Sequence, residues 1–176
     1  MNKFYLLLLS SLLVLSPCFG QNTFEVPKNA ELKAKEDYAK YEADIIQATK
    51  WIEETDFDKE SDKRKEVGRF LMLWLMGSPN VSIELNNQVL NLTEDNFNLL
   101  TVYFAGGTRY ALENKESATK FNIVKACLTS VVKAYKKDIA VKKTKVLKKL
   151  VAAFDDNKLD DYIVNEMKVP QTSSLL

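Results

Sequence analysis

Residues 67–76 read Val-Gly-Arg-Phe-Leu-Met-Leu-Trp-Leu-Met, apolar nearly all round a helix and broken by one charge, Arg69. A helix apolar on every face belongs in the centre of a bundle, enclosed by others. Its unbroken part, Phe70 to Met76, is only seven residues long, whereas a bilayer span needs about 20. The run therefore reads as a buried helix of a soluble protein, and Gly77-Ser78-Pro79-Asn80 ends it as a turn.

Upstream, Ala34, Tyr38, Tyr41, Ile45, Ala48 and Ile52 recur at alternating steps of four and three, a seam on one face of a first helix that Pro27 is placed to start. Lys35, Glu36, Glu42 and Glu53 fall off the seam, as a solvated face should. Two alanines and two tyrosines in so short a seam favour packing inside a bundle over a free coiled coil. The charged stretch Asp56 to Glu66 joins this helix to the second, with Ser61 or Asp62 as its cap.

Downstream, Val81, Ile83 and Leu85 alternate with Ser82 and Glu84, and Asn86-Asn87 precedes Val89 and Leu90, which predicts a short extended or hairpin insertion near 81–92. Thr93 opens a third helix whose apolar face, Phe97, Leu99, Leu100, Val102, Tyr103, Phe104 and Ala111, is wide enough for a second central element. A fourth helix is predicted over Ser117–Lys137. A fifth, from Lys142 to Phe154, sets Val146, Leu147, Leu150, Val151 and Phe154 opposite Lys142, Lys145, Lys148 and Lys149, and a sixth spans Leu159–Met167. The fold class is thus all-α, a single-domain bundle of five or six helices over residues 21–168. Residues 169–176, with a proline, two serines and no periodicity, form a flexible tail.

The N-terminus has the order of a secretory signal peptide: a basic start at Lys3, an apolar and hydroxyl run from Phe4 to Ser16, a break at Pro17 and the small residue Gly20. Residues 1–20 are read as that leader, leaving Gln21 as the mature N-terminus. Lipoprotein processing at Cys18 is the rival, disfavoured because Pro17 stands where a small residue is needed. Removal of the leader leaves Cys127 as the single thiol, so no internal disulfide supports the exported chain, and its core must suffice. Cys127 itself lies among apolar positions and reads as buried and inert.

Charge is polarised along the chain. Residues 21–66 carry nine bases and thirteen acids, while residues 115–150 carry eleven lysines against Glu116 and Asp138. A basic helix lying on acidic elements of the same fold accounts for this better than a partner of opposite sign. The lysines have no interleaved exposed aromatics and no arginine forks, so nucleic acid is not a predicted partner, although association with anionic lipid or polysaccharide through Lys133 to Lys149 stays open.

Histidine is absent from the whole chain, which removes the commonest general base, metal ligand and partner of a nucleophile. Carboxylate pairs survive that exclusion, so a hydrolase acting on an envelope polysaccharide is the enzymatic alternative, but no pair stands out among 24 acids. No catalytic residue, no metal ligand set and no cofactor is assigned. Asp155, Asn157 and Glu166 fit the first, third and twelfth positions of a calcium loop. Leu159 and Asp160 occupy the fifth and sixth, where an oxygen donor and glycine belong, and the segment reads instead as an acidic connection with Asp156 or Asn157 capping the last helix.

Gly106-Gly107 inside the third helix costs about 1 kcal/mol per glycine in helix propensity, which close approach of a neighbouring helix would offset. The alternative is a ligand reaching the backbone there, with Arg109 and Tyr110 supplying polar contacts. Arg69 and Arg109, if they face inward, call for carboxylates such as Glu84 or Glu113. Asn80-Val81-Ser82 and Asn91-Leu92-Thr93 match the short glycosylation acceptor pattern.

The segment Phe70 to Ile83, with Trp74, Gly77, Ser78, Pro79 and Ser82, together with Tyr110-Ala111-Leu112-Glu113-Asn114, resembles uncharacterised exported helical proteins of Gram-negative bacteria. The resemblance covers about a third of the chain and implies an envelope location, with no activity attached. Small periplasmic acid chaperones and immunity proteins typically carry a cysteine pair, from which this chain departs. The functional expectation is a non-enzymatic binding or interaction module of the cell envelope, with an unknown protein or envelope component as partner.

Overall fold

The computed structural model describes residues 23–137 and 140–171, so the predicted leader, Cys18, Gln21 and the last five residues lie outside the described part. Among the described residues the chain is all-helical, with eight helices and no strand. None of these helices is long and apolar enough to cross a membrane.

The predicted first helix is two. α1 spans Lys35–Lys40 and α2 Glu42–Glu54, with Tyr41 between them at φ −98°, ψ 2°. Residues 23–34 are irregular, so Pro27 does not start a helix. The start is fixed at Lys35 because the Asp37 carboxylate accepts from the backbone N–H groups of Ala34, at 2.9 Å, and Lys33, at 3.2 Å. α2 then buries Ile45, Ala48, Thr49, Trp51 and Ile52.

α3 spans Ser61–Gly77. Its N-cap is Glu60, in the left-handed region at φ 47°, and neither Ser61 nor Asp62 serves. Arg64, in its first turn, is buried with its guanidinium over the Trp51 and Phe57 rings. It donates to the carbonyls of Ile52, Thr55 and Asp56, satisfying acceptors at the C-terminal end of α2. The other end of α3 is held by α1. Trp74 Nε1 donates to the Tyr38 carbonyl at 2.9 Å, and a Cβ on Gly77 would fall 1.8 Å from the Tyr38 hydroxyl.

α3 is nevertheless not the central helix that its composition predicts. Val67, Phe70, Leu71 and Trp74 are buried, but Leu73 is 52% and Met76 81% exposed. The centre is α5, Phe97–Glu113, which packs on α6, Lys120–Lys137, along one side and on α2 along another, and is buried almost continuously from Leu99 to Leu112.

The predicted hairpin does not form, and within the predicted insertion only residues 81–86 stay non-helical. Residues 81–86 are irregular and pair with no strand, and Asn87–Thr93 form a short helix, α4. Asn86, read as turn chemistry, is the helix N-cap, its side chain accepting from Val89 N at 3.1 Å. Thr93 consequently ends α4 and does not open the next helix: its hydroxyl donates back to the Val89 carbonyl. The residue before α5 is Asn96, whose side chain makes two hydrogen bonds with the Lys142 backbone. α7, Lys145–Asp155, is capped by Thr144, and α8, Leu159–Asn165, closes the described fold against α6 and α7. The count of eight reflects the split of the first helix and the appearance of α4. Val169 is 3% exposed and bonds to Ile163, so the packed chain runs past residue 168, where the tail was expected to begin.

Candidate binding groove

Helical phase places Lys65, Arg69, Met72 and Met76 on one stripe of α3, opposite the face that buries Val67, Leu71 and Trp74. Where that stripe meets α5, an open cleft of about 480 Å³ is lined by Phe57, Gly68, Arg69, Met72, Phe97 and Thr101, with Arg64 at one wall. Phe97, the first residue of α5, is 79% exposed, and Met76, one turn past Met72 on the same stripe, is 81% exposed. Leaving side chains of this size in water forgoes roughly 1.5–3 kcal/mol each relative to burying them.

The three arginines differ in what they meet. Arg64 serves the end of α2. Arg109 Nε lies 2.8 Å from Glu53 Oε2, with Glu113 at 3.4 Å from its Nη1, and these carboxylates hold the guanidinium above its ordinary value. Glu53, expected on a solvated face, is instead mostly buried at 15% side-chain exposure, because α5 lies against that face of α2. Glu84 pairs with Lys120 and not with an arginine. Arg69 is exposed and, among the described residues, has no carboxylate within ion-pairing distance. It lines the apolar cleft, where its guanidinium can offer two parallel donors.

Gly106-Gly107 is accounted for by packing. A Cβ on Gly106 would lie 2.3 Å from Ser130 Oγ and 3.1 Å from the Ala126 carbonyl, and one on Gly107 would lie 2.4 Å from Cys127 Sγ. The two glycines let α6 approach α5, and Ser130 reaches Glu53 through the gap. A cleft of about 330 Å³ does open beside Gly106, lined by Arg109, Tyr110, Glu113, Asn122 and Lys133, and a third of about 510 Å³ lies over Ser78, Asn80, Ser82 and Leu112. Across these three clefts Glu113 is the one carboxylate among the lining residues, so none presents two facing acids. Trp74 is buried away from all three.

The acidic connection after α7 scatters its carboxylates outward. Asp155 pairs with Lys136, Asp160 with Lys125 and Glu166 with Lys149. Asn157 sits in the left-handed region at φ 58°, ending α7, while Lys158 and no acid occupies the N-cap of α8. No group of three or more potential metal ligands occurs among the described residues. The basic segment is met within the fold: Lys115, Lys120, Lys125, Lys136, Lys137, Lys142 and Lys149 all pair with acids of other segments. Asn80 is exposed at its turn, whereas Thr93 of the second acceptor pattern is buried. Cys127 is fully buried, and burial pushes its thiol well above the ordinary value.

The apolar groove was missed because composition marks Val67–Met76 as apolar without saying which residues the neighbours leave uncovered. Helical phase sets Phe97 on the same stripe as the buried Phe104, seven residues on, so spacing alone gave no sign that Phe97 is left 79% exposed. No protein-family model, no curated protein and no solved structure matches the chain.

Proposed function

We propose that the protein is an exported, non-enzymatic binding module of the cell envelope, and that its binding face is the groove between α3 and α5. The observation that carries this reading is the exposure of Phe97 in a cleft that Arg69 also lines, and of Met76 one turn beyond Met72. A fold that buries Trp51, Trp74 and Tyr103 to about one per cent has no shortage of core, so large apolar side chains left outside it argue for a partner. The leader-like N-terminus, the similarity to exported helical proteins and the lack of histidine support the location and the non-enzymatic character.

The binding role is tested by placing a photo-cross-linking amino acid at position 76, at position 97 or, as a control on α7, at position 148 in producing cells. The reading predicts a discrete adduct from 76 and 97 and none from 148. Adducts from all three positions, or from none, contradict it. Export is tested by the intact mass of the mature protein: an N-terminus at Gln21 supports soluble export, a lipid-modified Cys18 replaces it with an anchored form, and an intact residue 1–20 segment contradicts it.

A further inference from the structure

We propose that the occupant of the α3–α5 groove is an amphipathic helix of a partner protein, bearing apolar side chains on one face and, about one turn beyond them, a carboxylate that meets Arg69. This rests on the binding-module reading and specifies its ligand. Lys65, Arg69, Met72 and Met76 follow one another at steps of four, three and four, so cations stand at one end of a single stripe and methionines at the other. From Lys65 to Met76 the stripe is roughly 16 Å long at 1.5 Å per residue, about three turns of a partner helix.

Length decides between kinds of occupant. A small amphiphile sized to the 480 Å³ cleft would cover Phe97 and Met72 and leave Met76 in water, since it does not line the cleft. A helix laid along the stripe reaches Met76 as well as Phe97 and Met72. Unbranched, polarisable methionines suit such a surface because they repack around a ridge of inserted side chains, the mode by which helices dock in apolar grooves.

Charge sets which end of the occupant is acidic. Asp62 and Glu66 flank the stripe, but Lys65 already meets Asp62 at 3.0 Å, and Arg69 lines the cleft beside Phe97 without a carboxylate partner among the described residues. A carboxylate arriving there gains a charge-assisted, two-pronged contact and displaces no existing pair.

Two stapled, fluorescein-labelled 16-residue helical probes test this. Both carry leucines at i, i+4 and i+7; one has Glu a turn before the first leucine and a turn after the last, and the other has Lys at both places. Anisotropy titration of the full chain should show the Glu probe binding at least tenfold tighter. Arg69→Glu should abolish or reverse that preference, and Phe97→Asp should weaken both probes at least tenfold with the helical circular dichroism unchanged. Met76→Ser, at the far end of the stripe, should weaken both as well. Equal binding of the two probes that is still lost in Phe97→Asp overturns the acidic occupant while leaving the groove as a binding face. Binding of neither probe overturns the proposal, as does a wild-type dimer in light scattering that Phe97→Asp dissociates, which would make the occupant a second copy. Saturable one-to-one uptake of dodecanoate without probe binding overturns it in favour of a small amphiphile.

Discussion

Arg109 on α5 and Glu53 on α2 form the main polar tie across the centre of the molecule, with Nε to Oε2 at 2.8 Å and Nη2 to Oε1 at 3.3 Å. Ser130 on α6 donates to the same carboxylate, so one acid joins three helices. The side chains are 29% and 15% exposed, so solvent screens the pair only partly. Removing one partner leaves the other imperfectly satisfied, at a cost of about 1–3 kcal/mol. Urea unfolding of Arg109→Met, Glu53→Gln and the double variant should give a coupling energy of about 1 kcal/mol or more. A coupling indistinguishable from zero would mean that the tie contributes only geometry.

The glycines make opposite predictions. Gly106→Ala and Gly107→Ala drive a methyl into Ser130 and Cys127 at 2.3 and 2.4 Å, and each should destabilise by about 1–3 kcal/mol. Gly68→Ala meets only Thr101 Cγ2 at 3.4 Å, an ordinary contact, and should stabilise α3 by about 0.5–1 kcal/mol through helix propensity. Melting temperatures of the three variants check the order, and a stabilised Gly106→Ala would break the packing account.

Stability should fall at both pH extremes for identifiable reasons. Burial pushes Tyr162 up to about 12 and raises Tyr103 and Cys127 as well. These groups ionise in the unfolded chain near their ordinary values of 9 to 10 while the folded chain keeps its protons. The unfolded state then binds fewer protons, and stability declines as pH rises through that range. On the acid side, Lys40 and the backbone N–H groups of Ala34 and Lys33 hold Asp37 down at about 2. Its contribution is present above the ordinary carboxylate value near 3.8 and is lost as pH falls toward 2. Urea midpoints at pH 7.5 and 10.5 should differ, and Tyr103→Phe should reduce that difference. A midpoint unchanged between the two would contradict the buried placement of these groups.

The helical class was legible because apolar spacing near 3.6 dominates the chain, and the packing role of Gly106-Gly107 followed from the propensity cost alone. Alternation at Val81, Ile83 and Leu85 misled. Irregular segments that dock Val81 and Ile83 onto a helical core produce the same period of two as a strand. Tyr41 carries no breaker chemistry, and the break there was invisible because Asp37 and Tyr38 fix α1 through contacts that spacing does not encode. Val67–Met76 identified a core helix, yet whether its Met72–Met76 edge was enclosed depended on where α5 begins, four residues after Thr93, and on no property of the run itself.

Accessibility of residue 76 inside the cell tests the binding face most directly. In a Cys18→Ser, Met76→Cys protein the one surface thiol is the introduced one, because Cys127 is fully buried. Maleimide should label it rapidly in purified protein and at least tenfold more slowly in unfractionated envelope extract of producing cells, with Phe97→Asp restoring the fast rate. Equal rates in the purified protein and the extract would contradict a partner on this groove.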